Sequence, residues 1–408
     1  MKLFTKILLV SFFATSFIKS QEIIELSMGS SYQYDIYYSL DNGITAFPER
    51  ENWELAFSTD PYDNNIRINS SYVNLYQVSE NIEDWEKITN FNSSIALQLR
   101  NSNKEWEIGA FVSNFFEKNP FNYGWGNYNT ENQEIEGCRI YIIDYNNQMK
   151  KIKINNLYNG VFNFTIANLD GSNEENISVD SNPYTDKRFI YYSLINSEII
   201  DREPDLNNWD LVFTRYEEEY VTLNGETMPY IVTGVMTNQN LIAQYDGNLN
   251  IDADTEILNI STEINTIGHD WKEYTGEFII VPNRAYYLFS QDEESLYKII
   301  FQSFSGQASG NLSFTMEEIE DFNPINNIDN NQETIIQIYP NPSNGNFHIN
   351  LNEKKATLSI LNTNGKIVLK KELNESLTLN LGDLNEGLFL INLNGENFNV
   401  SKKILIKK

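Results

Sequence analysis

The chain repeats itself, and this limits its fold more than any other feature. The run I-Y-Y-S-L at 36–40 returns at 190–194, and N-W-E-L-A-F at 52–57 returns as N-W-D-L-V-F at 208–213. Trp125 and Tyr128 pair with Trp271 and Tyr274, and R-I-Y at 139–141 pairs with R-A-Y at 284–286. K-I-K-I at 151–154 pairs with K-I-I-F at 298–301, and G-V-F-N-F-T at 160–165 with G-N-L-S-F-T at 310–315. The matches keep their order at offsets of 145 to 156 residues, so 28–178 and 182–318 are two related units. Within each unit the large residues fall at period 2, as in Tyr38 and Leu40 or Trp53, Leu55 and Phe57. Asn-Gly, Asp-Gly and Asn-Asn steps punctuate them, and no capped stretch of period 3.6 interrupts. The class is all-β. Trp53 and Trp209 are expected in cores, where an indole buries a large area.

Lys2 and Lys6 precede a short apolar run, Ile7 to Phe17, which reads as an export signal over 1–20 with a cut after Ser20. No other run has the length to span a bilayer. Cys138 is the single cysteine, so an exported chain has no internal disulfide and depends on its cores. Its setting, C-R-I-Y-I-I, reads as a small buried apolar position. The net charge is −28; the first twenty residues and the last seventy each carry +3, which leaves −34 on the body. Such a body repels nucleic acid and anionic membranes.

Residues 319–335 are polar and Asn-rich and read as a linker. After it come T-I-I-Q-I-Y, then P-N-P-S-N-G-N, in which Pro340 and Pro342 stop any ladder and Asn344-Gly345 forms a tight turn. Period-2 segments separated by Asn/Gly turns then describe a small Ig-like β-sandwich over 336–408. The series Tyr339, Pro340, Asn341, Pro342 and Gly345, then Gly365-Lys366, Gly387, and finally Lys402-Lys403, resembles the type A C-terminal sorting domain of the type IX secretion system of Bacteroidetes. The resemblance implies passage across the outer membrane, the type IX machinery as partner, and release or attachment at the cell surface.

The body motifs resemble the HmuY-like haem-binding proteins of Bacteroidetes: a tyrosine-rich strand, N-W-[DE]-L-[AV]-F, then a strand ending in Asn. In unit one that last element is I-R-I-N at 66–69, and in unit two V-T-L-N-G at 221–225. The fold implied is two HmuY-like β units followed by the sorting domain. Haem is the cofactor the resemblance implies, held by axial side chains. Only His269 lies in the body, because His348 is in the tail, so the candidate ligand pair is Met236 with His269. Unit one has Tyr123 where unit two has His269.

Other chemistry is thin. No Walker loop, G-x-S-x-G, H-E-x-x-H or C-x-x-C occurs. Asp246, Asn248, Asn250, Asp252 and Asp254 alternate oxygen ligands and form a candidate calcium stretch, although the glycine is misplaced for an EF-hand and a solvated strand shows the same pattern. The expectation is a non-catalytic binding protein, secreted or at the cell surface, for haem or another small hydrophobic ligand. The rival is an adhesin or glycan-binding module using Trp85, Trp106 and Trp125, and a hydrolase with a carboxylate pair is a third class.

Overall fold

The computed structural model describes residues 22–319 apart from 61–62, 95, 116–118, 120, 223, 226, 250–257 and 292–293. It also describes 337–406 apart from 340–344, 351–354, 363–365, 374–376, 383, 385–386 and 396–398. The expected signal segment and nearly all of the linker lie outside these residues. Two compact units result, Met1–Pro324 and Ile325–Lys408. Both are built on β-sheets, with only short 3-10 turns of helix in the body among the described residues, and no described helix is long and apolar enough to cross a membrane.

The body holds two lobes with separate apolar cores. The first core runs from Leu55 to Tyr192 and is centred on Phe57, Phe111, Trp125, Tyr141 and Phe164. The second joins Leu26–Leu40 to Leu211–Phe314 around Phe213, Trp271, Tyr286 and Phe301. An eight-stranded and a four-stranded sheet build the first lobe; a six-stranded sheet, a four-stranded sheet and a hairpin build the second.

The repeats are sequence units and not packing units. Strand Ile36–Ser39 of the first repeat pairs with Leu211–Val221 of the second. Its counterpart Phe189–Ser193 pairs with Leu55–Ser58 of the first. The strands that run into each repeat behave alike: Glu22–Ser27 edges onto Asn311–Glu318, and Glu175–Asp180 onto Val161–Asn168. Thus each lobe takes its tyrosine-rich strand from the other repeat, and the chain crosses between lobes at 47–52 and 201–208.

The repeated motif explains this pairing. In N-W-[DE]-L the acid is buried and caps the tyrosine-rich strand of the other repeat. Glu54 accepts from the Leu194 amide at 2.6 Å and Asp210 from the Leu40 amide at 2.8 Å. A buried carboxylate needs such donors. The strand-ending Asn repeats as well, but its partner in unit two is Asn238, not Asn224 as the spacing suggested. Asn69 Nδ2 donates to the carbonyls of Arg50 and Trp53, and Asn238 Nδ2 to those of Leu206 and Trp209. The displacement has a cause: the first repeat joins strands of four and three residues, the second joins two of eleven, Leu211–Val221 and Thr227–Thr237.

The C-terminal unit is a sandwich of a three-stranded and a four-stranded sheet around Phe347, Leu358, Ile360, Ile391 and Ile404.

Candidate functional site

Both crossings pass a cavity of about 80 Å³ between the lobes, lined from each side by equivalent elements. Tyr37 and Tyr191 face each other there with hydroxyls 3.5 Å apart. Arg202, on the second crossing, pairs with Asp35 at 2.8 Å, with both side chains 5% exposed or less. Asp35 also accepts from Thr214 Oγ1 at 2.7 Å. Glu203 accepts from the Tyr191 hydroxyl and the Phe189 amide, each at 2.7 Å, and from the Arg188 amide.

The loop ahead of Gly109 closes one wall. Trp106 Nε1 reaches across to the carbonyls of Thr237 and Asn238, both at 2.9 Å. The guanidinium groups of Arg67 and Arg188 lie over its ring at 5.2 and 5.6 Å, within cation–π range. Lys104 extends the loop's hold through Glu263 at 2.8 Å.

The electrostatics follow from burial. Loss of water pushes Arg67 down to about 10 and raises the phenols of Tyr37 and Tyr191, so both tyrosines stay protonated. Burial raises Glu203 too, against the pull of Tyr191 and the Phe189 amide. Both carboxylates already hold several donors.

Met236 lines this cavity, buried against Tyr37, Trp209, Val212 and Tyr216. It stands where the first repeat has Arg67, since Val212 pairs with Met236 as Ala56 pairs with Arg67. His269 is half-buried beside the close approach of Gly234 to Gly268 and does not line the cavity. Desolvation, then Lys272, lowers its pKa. The two candidate axial ligands therefore do not face one space, and the space at Met236 is far below the ~300 Å³ of the smallest usual ligand pockets. Haem does not fit these residues as they stand.

The calcium stretch finds its first member engaged: Asp246 holds Arg284 at 2.7 Å and accepts from Gln244. Asn248 follows it, while Asn250, Asp252 and Asp254 lie outside the described residues. Among the described residues no cluster of three or more His, Cys, Asp or Glu is placed to hold a metal. The tryptophans expected at a glycan face are turned inward. Trp125 donates to the Asn64 carbonyl, Trp85 is buried and donates to Glu174, and Trp106 is the clamp just described. Trp209 is buried as expected, Trp53 is half-buried against Tyr191, and Cys138 is half-buried with its thiol near the Trp125 carbonyl at 3.6 Å. The cavity arginines are the residues that sequence reasoning missed; their one signal was scarcity, eight in a chain of 408.

In the C-terminal unit Tyr339 ends strand Gln337–Tyr339, and Lys402 and Lys403 lie on the last strand, Asn399–Ile406. Gly345, at φ 103°, packs against Gly382 so closely that a Cβ would meet its Cα at 2.9 Å. Lys366 donates its amide to Asn362 Oδ1, and Gly387 opens strand Gly387–Gly395. Pro340, Asn341, Pro342 and Gly365 lie outside the described residues.

No curated protein sequence matches the chain. Among solved structures it is similar to PorZ, described as an essential bacterial surface component of the type IX secretion system of Porphyromonas gingivalis. That likeness has 10% identity and a TM-score of 0.17 over 78% of this chain and 48%, about half, of PorZ. The BSP domain of a biofilm-associated protein is similar at 9% identity and a TM-score of 0.17, over 88% of this chain and 67% of that one. Likenesses this weak carry no argument about the body. The tail is different, because residues 337–407 match a family outright. Those residues are a secretion system C-terminal sorting domain, which marks the protein for type IX export as a secreted or outer-surface protein.

Proposed function

We propose that the body is a non-catalytic binding protein of the outer surface and that it engages a neutral glycan through the long hairpin of the second repeat. One observation carries this reading. The hairpin of Leu211–Val221 and Thr227–Thr237 is an extension that the first repeat lacks, and repeat insertions commonly form the binding face. Its inner half is core, through Tyr216, Val232 and Met236. On the same face, its outer half presents Tyr220, Met228 and Tyr230 at 55, 49 and 62% exposure. The Tyr220 and Tyr230 rings lie 6.4 Å apart, and Glu218 stands beside them on that face. Exposed aromatic rings edged by hydrogen-bonding groups form an amphipathic platform for a sugar. The charge of the body favours an uncharged partner over an anionic one.

On this reading the repeats are HmuY-like in fold, supported by the ordered motifs and their equivalent strands, without the haem site. The test uses the full chain on immobilised neutral polysaccharides, with a haemin titration beside it. Retention that drops at least about tenfold in Tyr220→Ala/Tyr230→Ala supports the hairpin as the contact. Retention untouched by that double variant removes it, and a saturable Soret band lost in Met236→Ala would put haem in its place.

A further inference from the structure

The cavity between the lobes sets a cluster of cationic donors among apolar walls such as Ala56, Phe189 and Val212. Five of the chain's eight arginines line it: Arg50, Arg67, Arg188, Arg202 and Arg215. Against them stand two lining carboxylates, Asp35 and Glu203, while Arg50 pairs with the exposed Glu51 at 2.5 Å. The hydrogen bonds of the Arg67 guanidinium go to main-chain oxygens, those of Ser102, Glu105 and Trp106 among them, and among the described residues it has no direct counter-ion. Glu107 lies 3.7 Å from Arg188, but it is an exposed rim residue and offsets little. A surplus of buried positive charge is costly unless something neutralises it.

The hydrogen-bond account points the same way. The Nε1–H of Trp53 and Trp209 and the Nε–H of Arg188 and Arg202 are buried and without a partner among the described residues. All four are donors that cannot accept. Water fits such a place poorly, because each molecule must also give away two hydrogens, and Asp35 and Glu203 are already engaged. A group that only accepts, and carries negative charge, answers both deficits. The size is selective: about 80 Å³ equals two or three waters at roughly 30 Å³ each, enough for one carboxylate, phosphate or sulfate group.

We infer that this cavity is a binding site for a small oxyanion, coordinated by the paired indole N–H groups of Trp53 and Trp209 and by the guanidinium groups of Arg188 and Arg202. It takes the inner end of the hairpin, Tyr216 and Met236, and not the exposed outer half, and it stands inside a body whose net charge would otherwise repel anions. Equivalent tryptophans from the two repeats supply opposing donors, so the anion would tie both crossings together.

The experiment is a thermal-unfolding titration of the full chain at fixed ionic strength, with phosphate, sulfate and acetate in separate arms and chloride as the balance. A saturable rise in Tm with at least one oxyanion is expected. The apparent Kd should weaken about tenfold in Trp209→Phe and in Trp53→Phe, which keep an aromatic ring but lose the N–H donor along with the rest of the indole. The arm that responds tells a tetrahedral inorganic anion from a carboxylate. Equal rises in chloride, no saturable rise in any arm, or a titration unchanged in both Phe variants would overturn the site and leave those donors to water.

Discussion

Tyr37 and Tyr191, equivalent residues 154 positions apart, meet hydroxyl to hydroxyl at 3.5 Å where the two repeats exchange strands. They are not equal partners. Tyr191 also donates to Glu203 at 2.7 Å, whereas Tyr37 packs edge-on against Trp209. Tyr191→Phe leaves a buried carboxylate one donor short and should cost about 1–3 kcal/mol. Tyr37→Phe should cost under about 1 kcal/mol, because it breaks only the long contact. Denaturant unfolding of the two variants checks the order, and equal losses would mean the pair acts as one unit.

Asp35, just ahead of strand Ile36–Ser39, and Arg202 join that strand to the second crossing, both out of water. Removing one partner strands the other charge, so Asp35→Ala should destabilise by about 3–5 kcal/mol. Asp35→Ala combined with Arg202→Met should recover most of that loss. A double-mutant cycle with no coupling would show that the bridge does not fasten the crossing.

The all-β class, the repeat and the sorting tail were legible because each rests on local pattern: period 2, recurrent motifs, ordered turn residues. The strand exchange was not. I-Y-Y-S-L meets the same acid and the same N-W strand in either lobe, so local chemistry cannot say which copy it joins. The Asn of the second unit was misplaced for a related reason, since a longer hairpin pushes the true counterpart to Asn238. Trp85, Trp106 and Trp125 look exposed in a polar sequence, yet each indole N–H finds an acceptor within the protein. The arginine cavity gathers residues from 50 to 215, a separation no motif spans.

Lys272 is buried over Trp271 and Phe304, its ammonium held among the described residues by the carbonyls of Thr233 and His269. Desolvation lowers its pKa from 10.5 to about 7, with Asp270 opposing. Between those values the unfolded chain holds a proton that the folded chain lacks, so stability from this group rises with pH. It is present in full above 10.5 and lost as pH falls through about 7. Wild type should therefore gain up to ~1.4 kcal/mol per pH unit over Lys272→Met across that window. Denaturant midpoints at pH 7, 8 and 9 check the slope; parallel curves for the two proteins would mean that Lys272 titrates normally.

The sorting domain has its own core, from Phe347 to Ile406, and the body has its own two. Folding and address are thus separable in this chain. Deleting residues 337–407 should leave the unfolding temperature of the body unchanged within about 2 °C, since none of its core residues is lost. The same deletion should stop display, with the protein retained inside the outer membrane instead of on the surface or in the medium. Surface proteolysis and fractionation of cells making each form read this directly. A truncated body that still reached the surface would mean that export depends on a signal in the lobes themselves. A body that lost stability would mean that the tail completes its fold.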